Sequence, residues 1–222
     1  MIPISVFTDI FPYLMRGINI TLSVLIASAI LGYLMAFIAG LCRLSSNVFI
    51  RKATGFYIEL FRGTSLIVQL FWLYYAVPML FDIQLGSNWL VGVVAIALNY
   101  GAYMSEIVRG SILSVAKGQT EAATALNMSS FQRMRLIILP QAVRMMLPEF
   151  GNYLIQMLKA TSLVYLIGMN DILYYGNILR SNDLSQAPTV YLLLLVFYFI
   201  LALPIIWLTR KAEVISKKGV AS

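Results

Sequence analysis

Hydrophobic and polar positions along this chain are grouped into long apolar runs separated by short polar breaks. The apolar runs lie at about 13–41, 56–80, 89–112, 142–165 and 190–209, and each is long enough for a membrane-spanning helix of about 20 residues. They lack the residue-by-residue alternation that marks strands of an outer-membrane barrel. A chain in lipid must satisfy its backbone hydrogen bonds internally. The pattern therefore predicts an all-α integral membrane helical bundle with about five transmembrane helices.

Composition supports a membrane protein and excludes several kinds of chemistry. The 222 residues are 60% hydrophobic and only 11% charged, whereas soluble domains carry about 25% charged residues. The chain has no histidine and one cysteine, which argues against metal cages, disulfides and Cys/His nucleophiles. We expect no catalytic residue, metal site or cofactor in this chain. A single domain over 1–222, without a removable signal peptide, is the simplest organisation.

The distribution of basic residues predicts the orientation of the chain in the membrane. The loop after the first span, the central polar segment and the tail (210–222) would lie on one side. Together they hold eleven of the 16 basic residues: Arg43, Arg51, Lys52, Lys117, Arg133, Arg135, Arg144, Arg210, Lys211, Lys217 and Lys218. Because Lys and Arg are enriched in cytoplasmic loops, we expect a cytoplasmic C-terminus and an external N-terminus. The net charge of +7 is thereby ascribed to membrane orientation, and no nucleic-acid partner is expected.

The central polar segment, residues 117–141, is predicted to be a cytoplasmic helix-turn-helix, and we call it the elbow. Thr120 can cap a first short helix whose first turn contains Glu121, where a carboxylate meets the positive end of the helix dipole. That helix should end near Asn127, because asparagine tolerates the left-handed conformation that terminates helices.

A second short helix is predicted from about 130 to 139. Ser129 and Gln132 have the spacing of a capping box, and Pro140 should interrupt the helix. The apolar sides of the two helices would be marked by Ala122, Ala125, Leu126, Phe131, Met134 and Ile138. Such an amphipathic elbow can lie on lipid headgroups, or it can insert into a soluble partner as a rigid knob.

The run QTEAATALNMSSFQRMRLIILPQAVRMMLPEFGN resembles the cytoplasmic EAA signature of ABC importer permeases. The signature positions are occupied here by Glu121, Ala122, Ala123, Asn127, Ile137, Leu139 and Pro140. The spacing is intact, and Asn127 replaces the family glycine. Because that glycine serves a left-handed turn, we expect the elbow to survive the replacement. The resemblance implies that this segment couples the permease to an ATPase.

The resemblance extends over nearly the whole chain to the polar amino acid subfamily. It includes GINITL (17–22), YIELFRGTSLIVQLFWLYY (57–75), NYGAYMSEIVRGSILSVAKGQ (99–119) and LKATSL (158–163). Ser65 replaces the usual proline, and Asp171 stands where glutamate is more common.

Membership of this subfamily implies a particular set of partners. They are separate ABC ATPase subunits that bind ATP and Mg²⁺, a second permease subunit, identical or related, and an extracytoplasmic solute-binding protein. The setting would be the lipid bilayer of the bacterial cytoplasmic (inner) membrane. The chain contains no GxxxxGK[ST] phosphate loop, in agreement with ATP hydrolysis on a partner.

Two acid–base pairs lie near predicted cytoplasmic ends of spans. Glu59 with Arg62, and Glu106 with Arg109, each place opposite charges three residues apart on a helix face. They can simply neutralise each other, with the arginine reaching toward the interface. Alternatively they form a cytoplasmic gate, in which Glu59 pairs with Arg109 across helices.

Polar residues at membrane depth are candidates for a solute pathway. They are Gln69, Asn99, Tyr103, Gln156, Lys159, Thr161 and Ser162. A zwitterion needs an acceptor for its ammonium and a donor for its carboxylate, and this set can supply both. The competing interpretation is that the amides join neighbouring helices and the tyrosine fills space. The external segment 167–189 fits either a docking surface for the binding protein or a plain surface helix.

Together these features predict a permease that performs no bond chemistry. It would move polar amino acids or similar small zwitterions into the cytoplasm by alternating access, with the elbow as the lever that partner ATPases drive. The alternatives are an ATP-independent secondary transporter or channel, and a membrane scaffold whose elbow is only an anchor.

Overall fold

The computed structural model describes residues 4–83 and 85–217, which are helical apart from short connections. In chain order the α-helices are α1 Ile4–Met15, α2 Ile18–Cys42, α3 Val48–Gly63, α4 Leu66–Phe71, α5 Val77–Phe81, α6 Asn88–Leu113, α7 Lys117–Ala125, α8 Ser130–Arg133, α9 Leu139–Ala160, α10 Ile172–Asn182 and α11 Ala187–Lys217. Two π-helical turns cover Trp72–Ala76 and Met134–Ile138, and two 3₁₀ helices cover Thr161–Ile167 and Leu184–Gln186. The predicted all-α class is confirmed.

Three helical stretches in the described part of the chain are long and apolar enough to cross a membrane. They are Ile10–Cys42, Asn88–Ser114 and Leu184–Val214, and they cover three of the predicted spans. A fourth candidate is the pair formed by Val48–Gly63 and Leu66–Phe81, whose axes meet at 108°.

That bend lies within the predicted span 56–80, so a span at this position would be a broken one and stays a prediction. Thr64 and Ser65 adopt extended backbone angles, which end α3 and start α4 in a new direction. The break releases backbone carbonyls from the helical ladder, and those carbonyls need new donors. The side chains of Gln69 and Asn99 provide them, as described below.

The predicted span 142–165 falls on α9 and the 3₁₀ helix that follows it. With 22 residues, α9 is long enough to cross a bilayer at about 1.5 Å per residue. It carries Arg144, Glu149 and Lys159 among its apolar residues, and it is not among the membrane-length apolar helices. A fifth span at this position stays a prediction.

Helix α6 lies at the centre of the main hydrophobic core, packed against α2 on one side and α9 on another. Met104 and Val108 of α6 and Met157 of α9 are fully buried. Gly40 lets α2 approach α6 closely, because a Cβ atom there would lie 2.7 Å from the Val108 side chain and 2.8 Å from the Ser105 carbonyl oxygen. Close approach through small residues is the usual way that helices pack in a membrane, where burial in lipid gives little drive for association.

A second, smaller core joins α1, α10 and α11. Asp171 caps α10 by accepting a hydrogen bond from the Tyr174 backbone N–H at 2.9 Å, and its other oxygen accepts from the Tyr198 hydroxyl at 3.4 Å. The side chain is completely buried. Burial raises the pKa of the Asp171 carboxyl to about 6, while the Tyr174 and Tyr198 hydrogen bonds oppose the shift. Asp171 therefore ties the segment after α9 to α10 and α11.

The raised pKa makes stability depend on pH. The folded chain holds the Asp171 proton more tightly than the unfolded chain, so the bound proton adds to the free energy of unfolding. This contribution is complete below about pH 4 and is lost as the pH rises through about 6. Asp171→Asn stays neutral and keeps an acceptor for the Tyr174 N–H. We expect the variant to gain stability relative to the natural chain between pH 5 and 7, on the order of 2 kcal/mol, measured by thermal unfolding in detergent. A stability difference that is constant across this range would contradict the assignment.

Candidate functional site

The first helix of the elbow, α7, begins earlier than predicted. It runs from Lys117 to Ala125, with Ala116 at its N-cap position and no side-chain cap. Thr120 lies inside the helix, where its carbonyl accepts a hydrogen bond from the Thr124 hydroxyl at 2.8 Å, so the prediction of a Thr120 cap is wrong. Because α6 ends at Leu113, only three residues separate it from the start of α7.

The turn after α7 has the geometry of a Schellman motif centred on Asn127. Asn127 has a φ of 55°, in the left-handed region, as predicted from its place in the motif. The Met128 N–H donates to the Ala123 carbonyl at 3.1 Å, and the Asn127 N–H donates to the Thr124 carbonyl at 2.9 Å. These two bonds satisfy carbonyls at the end of the helix. Asparagine thus makes the turn for which the family uses glycine.

The second helix begins with the predicted capping box. The Ser129 hydroxyl accepts from the Gln132 N–H at 3.3 Å, and the Gln132 side chain accepts from the Ser129 N–H at 2.9 Å. The Arg133 guanidinium donates to the Thr124 hydroxyl at 3.0 Å and so links the second helix to the first. The elbow is therefore a braced unit with a defined angle.

Pro140 does not interrupt the second helix, contrary to the prediction. The helix continues from α8 through the π-helical turn Met134–Ile138 into α9, and Pro140 lies in the first turn of α9. At the end of the π-helical turn the Leu139 N–H donates to the Met134 carbonyl, five residues back. The wider turn makes room for the proline ring, which would otherwise clash with a carbonyl one turn earlier. The elbow is consequently continuous with the bundle through α9.

The elbow turns about half of its apolar side chains outward. Ala123 is fully buried and Ile138 nearly so, while Ile137, Leu139 and Met134 are half-buried. The outward group consists of Glu121, Ala122, Ala125, Leu126, Phe131, Leu136 and Pro140. Leu126 is 75% exposed and Phe131 71% exposed. Of the residues predicted to form the apolar sides of the elbow, Met134 and Ile138 pack on the rest of the described chain. The other four, Ala122, Ala125, Leu126 and Phe131, form an exposed surface.

Gln69 and Asn99 act together at the break between α3 and α4. The Gln69 side-chain amide donates to the Phe61 carbonyl at 2.9 Å and to the Thr64 hydroxyl at 2.7 Å. The Asn99 amide donates to the same Phe61 carbonyl and to the Gln69 side-chain oxygen, both at 3.0 Å. Both side chains are buried. Their donors are therefore occupied in holding the bent helix pair against α6.

Replacing Asn99 by Leu should loosen this clamp. The change removes one of the two amides that donate to the Phe61 carbonyl and leaves the Gln69 side-chain oxygen without its donor. A buried polar group without its partner costs about 1–3 kcal/mol. We expect a drop of that size in the unfolding free energy, measured in detergent. Trp72→Leu, at a half-exposed position on the next turn, is the matched control and should have little effect. Equal stability of Asn99→Leu and the natural chain would argue against a clamp.

Two adjoining cavities lie beside the break, between α4, α6 and α9. One has a volume of about 330 Å³, and its polar lining includes Tyr100, Tyr103, Tyr153 and Gln156. The other has a volume of about 440 Å³ and is lined by Lys159 together with Ile67, Ala160 and Leu163. Four residues line both cavities: Ser65, Leu66, Tyr100 and Gln156. The structure thus brings four candidate residues to the two cavities: Asn99 and Tyr103 line the first, Lys159 lines the second, and Gln156 lines both.

Three candidates for the solute pathway do not line these cavities: Gln69, which holds the helix break, and Thr161 and Ser162. Thr161 is fully buried, and its hydroxyl donates to the Leu158 carbonyl at 2.7 Å. The Ser162 hydroxyl donates to the Lys159 carbonyl, also at 2.7 Å. Both hydroxyls are used within the end of α9, where the helix tightens to 3₁₀ geometry.

Of the two predicted acid–base pairs, Glu106 with Arg109 forms and Glu59 with Arg62 does not, among the described residues. Arg109 and Glu106 form an ion pair at 2.9 Å, and Arg43 at the end of α2 approaches the other Glu106 oxygen at 3.6 Å. In the described residues neither Glu59–Arg62 nor Glu59–Arg109 forms an ion pair. The Arg62 guanidinium instead lies 5.4 Å from the centre of the Tyr103 ring, and Glu59 is exposed. Spacing alone missed this arrangement, because it depends on how α2 and α3 lie against α6.

Three further residues of the site were not singled out by sequence. Tyr100 and Tyr153 line the smaller cavity, and Arg43 completes the network at Glu106. The sequence could have indicated Tyr100 as a cavity residue. It lies three residues before the candidate Tyr103 and four before Met104, and therefore on the same face of the helix. Tyr153 and Arg43 come from other helices and carry no such local signal.

Comparison with known proteins decides the family. The description "binding-protein-dependent transport system inner membrane component" matches residues 28–213, most of the chain. The chain belongs to this family. A probable amino-acid ABC transporter permease protein of Sinorhizobium fredii is 44% identical over 203 residues, covering 89% of this chain and 84% of that protein. The glutamine transport system permease protein of Escherichia coli K12 is 34% identical over 202 residues, covering 91% and 92%.

A solved structure gives the same result for the fold. A chain of an amino acid ABC transporter crystallised with histidines superposes with a TM-score of 0.87 at 32% identity, covering 96% of this chain and 98% of that chain. The permease resemblance is thus confirmed. This chain is a multi-pass membrane permease subunit of an ABC importer, and the ATPase is a separate subunit. These findings favour the importer over an ATP-independent transporter or channel.

Proposed function

We propose that this permease moves polar amino acids or similar small zwitterions into the cytoplasm. The observation that carries the proposal is the pair of adjoining cavities, in which a primary ammonium, Lys159, and a group of tyrosines and an amide line neighbouring walls. Lys159 supplies a donor and positive charge for a solute carboxylate. Tyr103 and Gln156 lie on the side where the solute ammonium would be held. The amino-acid permeases among the relatives support the same class of solute.

The proposed cycle assigns the elbow to coupling. Partner ATPases, which bind ATP and Mg²⁺, bind the outward surface around Glu121 and Leu126. Their closure moves the elbow, and because α8 continues through the π-helical turn into α9, the movement reaches the cavity wall that carries Gln156 and Lys159. A two-state shift between inward-open and outward-open packings follows. The importer would also contain a second permease copy, identical or related, and an extracytoplasmic binding protein, with the tail of this chain in the cytoplasm.

The charged network at Glu106 is proposed as the cytoplasmic gate. Glu106 connects α6 to Arg43 at the end of α2. If these two helices separate, the 3.6 Å contact between Arg43 and Glu106 must break. Arg109 can then keep the carboxylate paired on its own helix. This arrangement replaces the predicted exchange between Glu59 and Arg109.

The test is uptake by the reconstituted importer, containing the permease, its ATPase and its binding protein in proteoliposomes. We expect ATP-dependent accumulation of at least one of the standard L-amino acids, and Lys159→Met should reduce it by about tenfold or more, as expected for loss of a charged hydrogen bond. Glu213→Met removes a charged side chain outside the cavity and serves as control. If no amino acid is accumulated, or if Lys159→Met transports as well as the control, the proposal is wrong.

A further inference from the structure

The hydroxyl groups of two cavity tyrosines are already in use. The Tyr103 hydroxyl donates to the Arg62 carbonyl at 3.1 Å, and the Tyr100 hydroxyl donates to the Gln156 carbonyl at 3.3 Å. The neighbouring amides of Gln69 and Asn99 are held by the helix break. The donor hydrogens of these groups are therefore occupied, and the rings of Tyr100, Tyr103 and Tyr153 form part of the cavity lining.

The rings are arranged in a fixed order. Tyr103 stacks on Tyr153 with ring centres 6.1 Å apart and planes 28° from parallel, while the Arg62 guanidinium also lies against Tyr103. Tyr100 meets Tyr153 edge to face, with centres 6.2 Å apart and planes at 68°. Tyr103 thus has the Arg62 guanidinium and the Tyr153 ring against it, and Tyr153 uses one face for this stacking. Together with Tyr100, Tyr153 forms an angled corner at the cavity.

An aromatic corner of this kind suits an organic cation. The face of a tyrosine ring attracts an ammonium group electrostatically, and rings at an angle can contact such a group from two sides. The attraction acts between the ring face and the positive charge, and it needs no hydrogen-bond acceptor. Surrounding charges act in both directions: Glu149, one turn before Tyr153 on α9, favours a cation at the corner, whereas Arg62 and Lys159 disfavour one close to themselves.

We propose that the corner formed by Tyr100 and Tyr153 binds the α-ammonium group of the transported amino acid through its ring faces, with Tyr103 as a positioning residue held between Arg62 and Tyr153. This inference rests on the proposed function. It places the solute carboxylate toward Lys159 in the adjoining cavity, since Tyr100 and Gln156 line both spaces. Recognition then depends on positive charge and aromatic surface, and not on the N–H donors of the solute.

The experiment measures equilibrium binding of radiolabelled L-amino acids to the detergent-solubilised permease–ATPase complex without the binding protein. We use the amino acid that the natural importer accumulates. Tyr100→Phe and Tyr153→Phe keep the rings and should bind within about threefold of the natural chain. Tyr100→Leu and Tyr153→Leu remove the rings and should weaken binding about tenfold. Tyr191→Leu, on the exposed side of α11, is the matched control and should bind normally.

The N,N,N-trimethyl derivative of the same amino acid keeps the charge and loses every N–H donor. It should compete within about tenfold of the parent compound, because a cation–π site does not need those donors. This measurement uses the natural chain and decides the question even if the leucine variants fail to assemble.

The outcomes separate this inference from the proposed function. If the natural importer accumulates no amino acid, the proposed function itself fails. If it does accumulate one, the ring proposal is overturned by any of three results: no binding to the complex, leucine variants that bind like the phenylalanine variants, or a trimethyl derivative that does not compete. Normal binding by phenylalanine variants with tenfold loss in leucine variants supports it.

Discussion

Glu121→Lys is expected to abolish ATP-driven uptake while leaving the permease folded. Glu121 is exposed on α7, next to the outward apolar surface that includes Leu126 and Phe131, and among the described residues its side chain forms no ion pair that the substitution would break. If the ATPase binds this surface, the part of the ATPase that contacts the Glu121 carboxylate would instead meet the positive charge of a lysine. Losing one partner of an interfacial charge pair costs about 2–5 kcal/mol, which corresponds to a fall in affinity of roughly 30-fold or more.

The measurements are co-purification of the ATPase and uptake in proteoliposomes. Glu213→Lys makes the same change in net charge at the end of α11, outside the elbow, and should leave both measurements nearly unchanged. Full ATPase association and full uptake by Glu121→Lys would mean that the elbow is not the coupling point. Loss of uptake with retained association would place Glu121 in the transmission of movement instead of in binding.

Gly40→Leu should prevent the packing of α2 against α6. Even a Cβ atom at this position would come within 2.8 Å of the Ser105 carbonyl oxygen, which belongs to the backbone of the central helix and cannot rotate away. A larger side chain forces the helices apart and disturbs the core around Val108 and Met104. Overpacking of this kind costs about 3 kcal/mol or more.

Gly110→Leu is the matched control, since a Cβ atom at Gly110 meets nothing within 4 Å. Leucine is also a better helix former than glycine by roughly 0.5–1 kcal/mol, so this variant should be as stable as the natural chain or more stable. Thermal unfolding of the two purified variants in detergent tests the comparison. If both variants unfold at the same temperature, close packing at Gly40 does not contribute as described.

Several features of the elbow could be predicted from sequence because they depend on neighbours in the chain. The capping box of Ser129 and Gln132 needs only a spacing of three residues, and the left-handed turn at Asn127 needs only a residue that tolerates it. Pro140 was interpreted wrongly by the same local rule, because a π-helical turn accommodated its ring. Thr120 was interpreted wrongly because α7 starts earlier, at Lys117.

The cavity residues show where local reasoning stops. Gln69 and Asn99 were correctly singled out as polar groups at membrane depth, yet their amides serve the Phe61 and Thr64 carbonyls of a helix break. Arg62 was paired with Glu59 by spacing, whereas it lies on the Tyr103 ring of another helix. Both outcomes depend on the 108° bend after α3, which extended residues Thr64 and Ser65 produce.

An all-helical membrane protein with an amphipathic elbow follows from the amino-acid sequence, because hydrophobic run length and capping are properties of consecutive residues, and the permease role follows from the resemblance of its motifs to a known family. The packing of the helices, in contrast, sets which polar side chains line the cavities and which satisfy the backbone. Only the tertiary structure shows that Tyr100 of α6 and Tyr153 of α9 meet at one corner, fifty-three positions apart in the chain. Such contacts depend on the crossing of separate helices, which the small residues between α2 and α6 and the break after α3 fix in space.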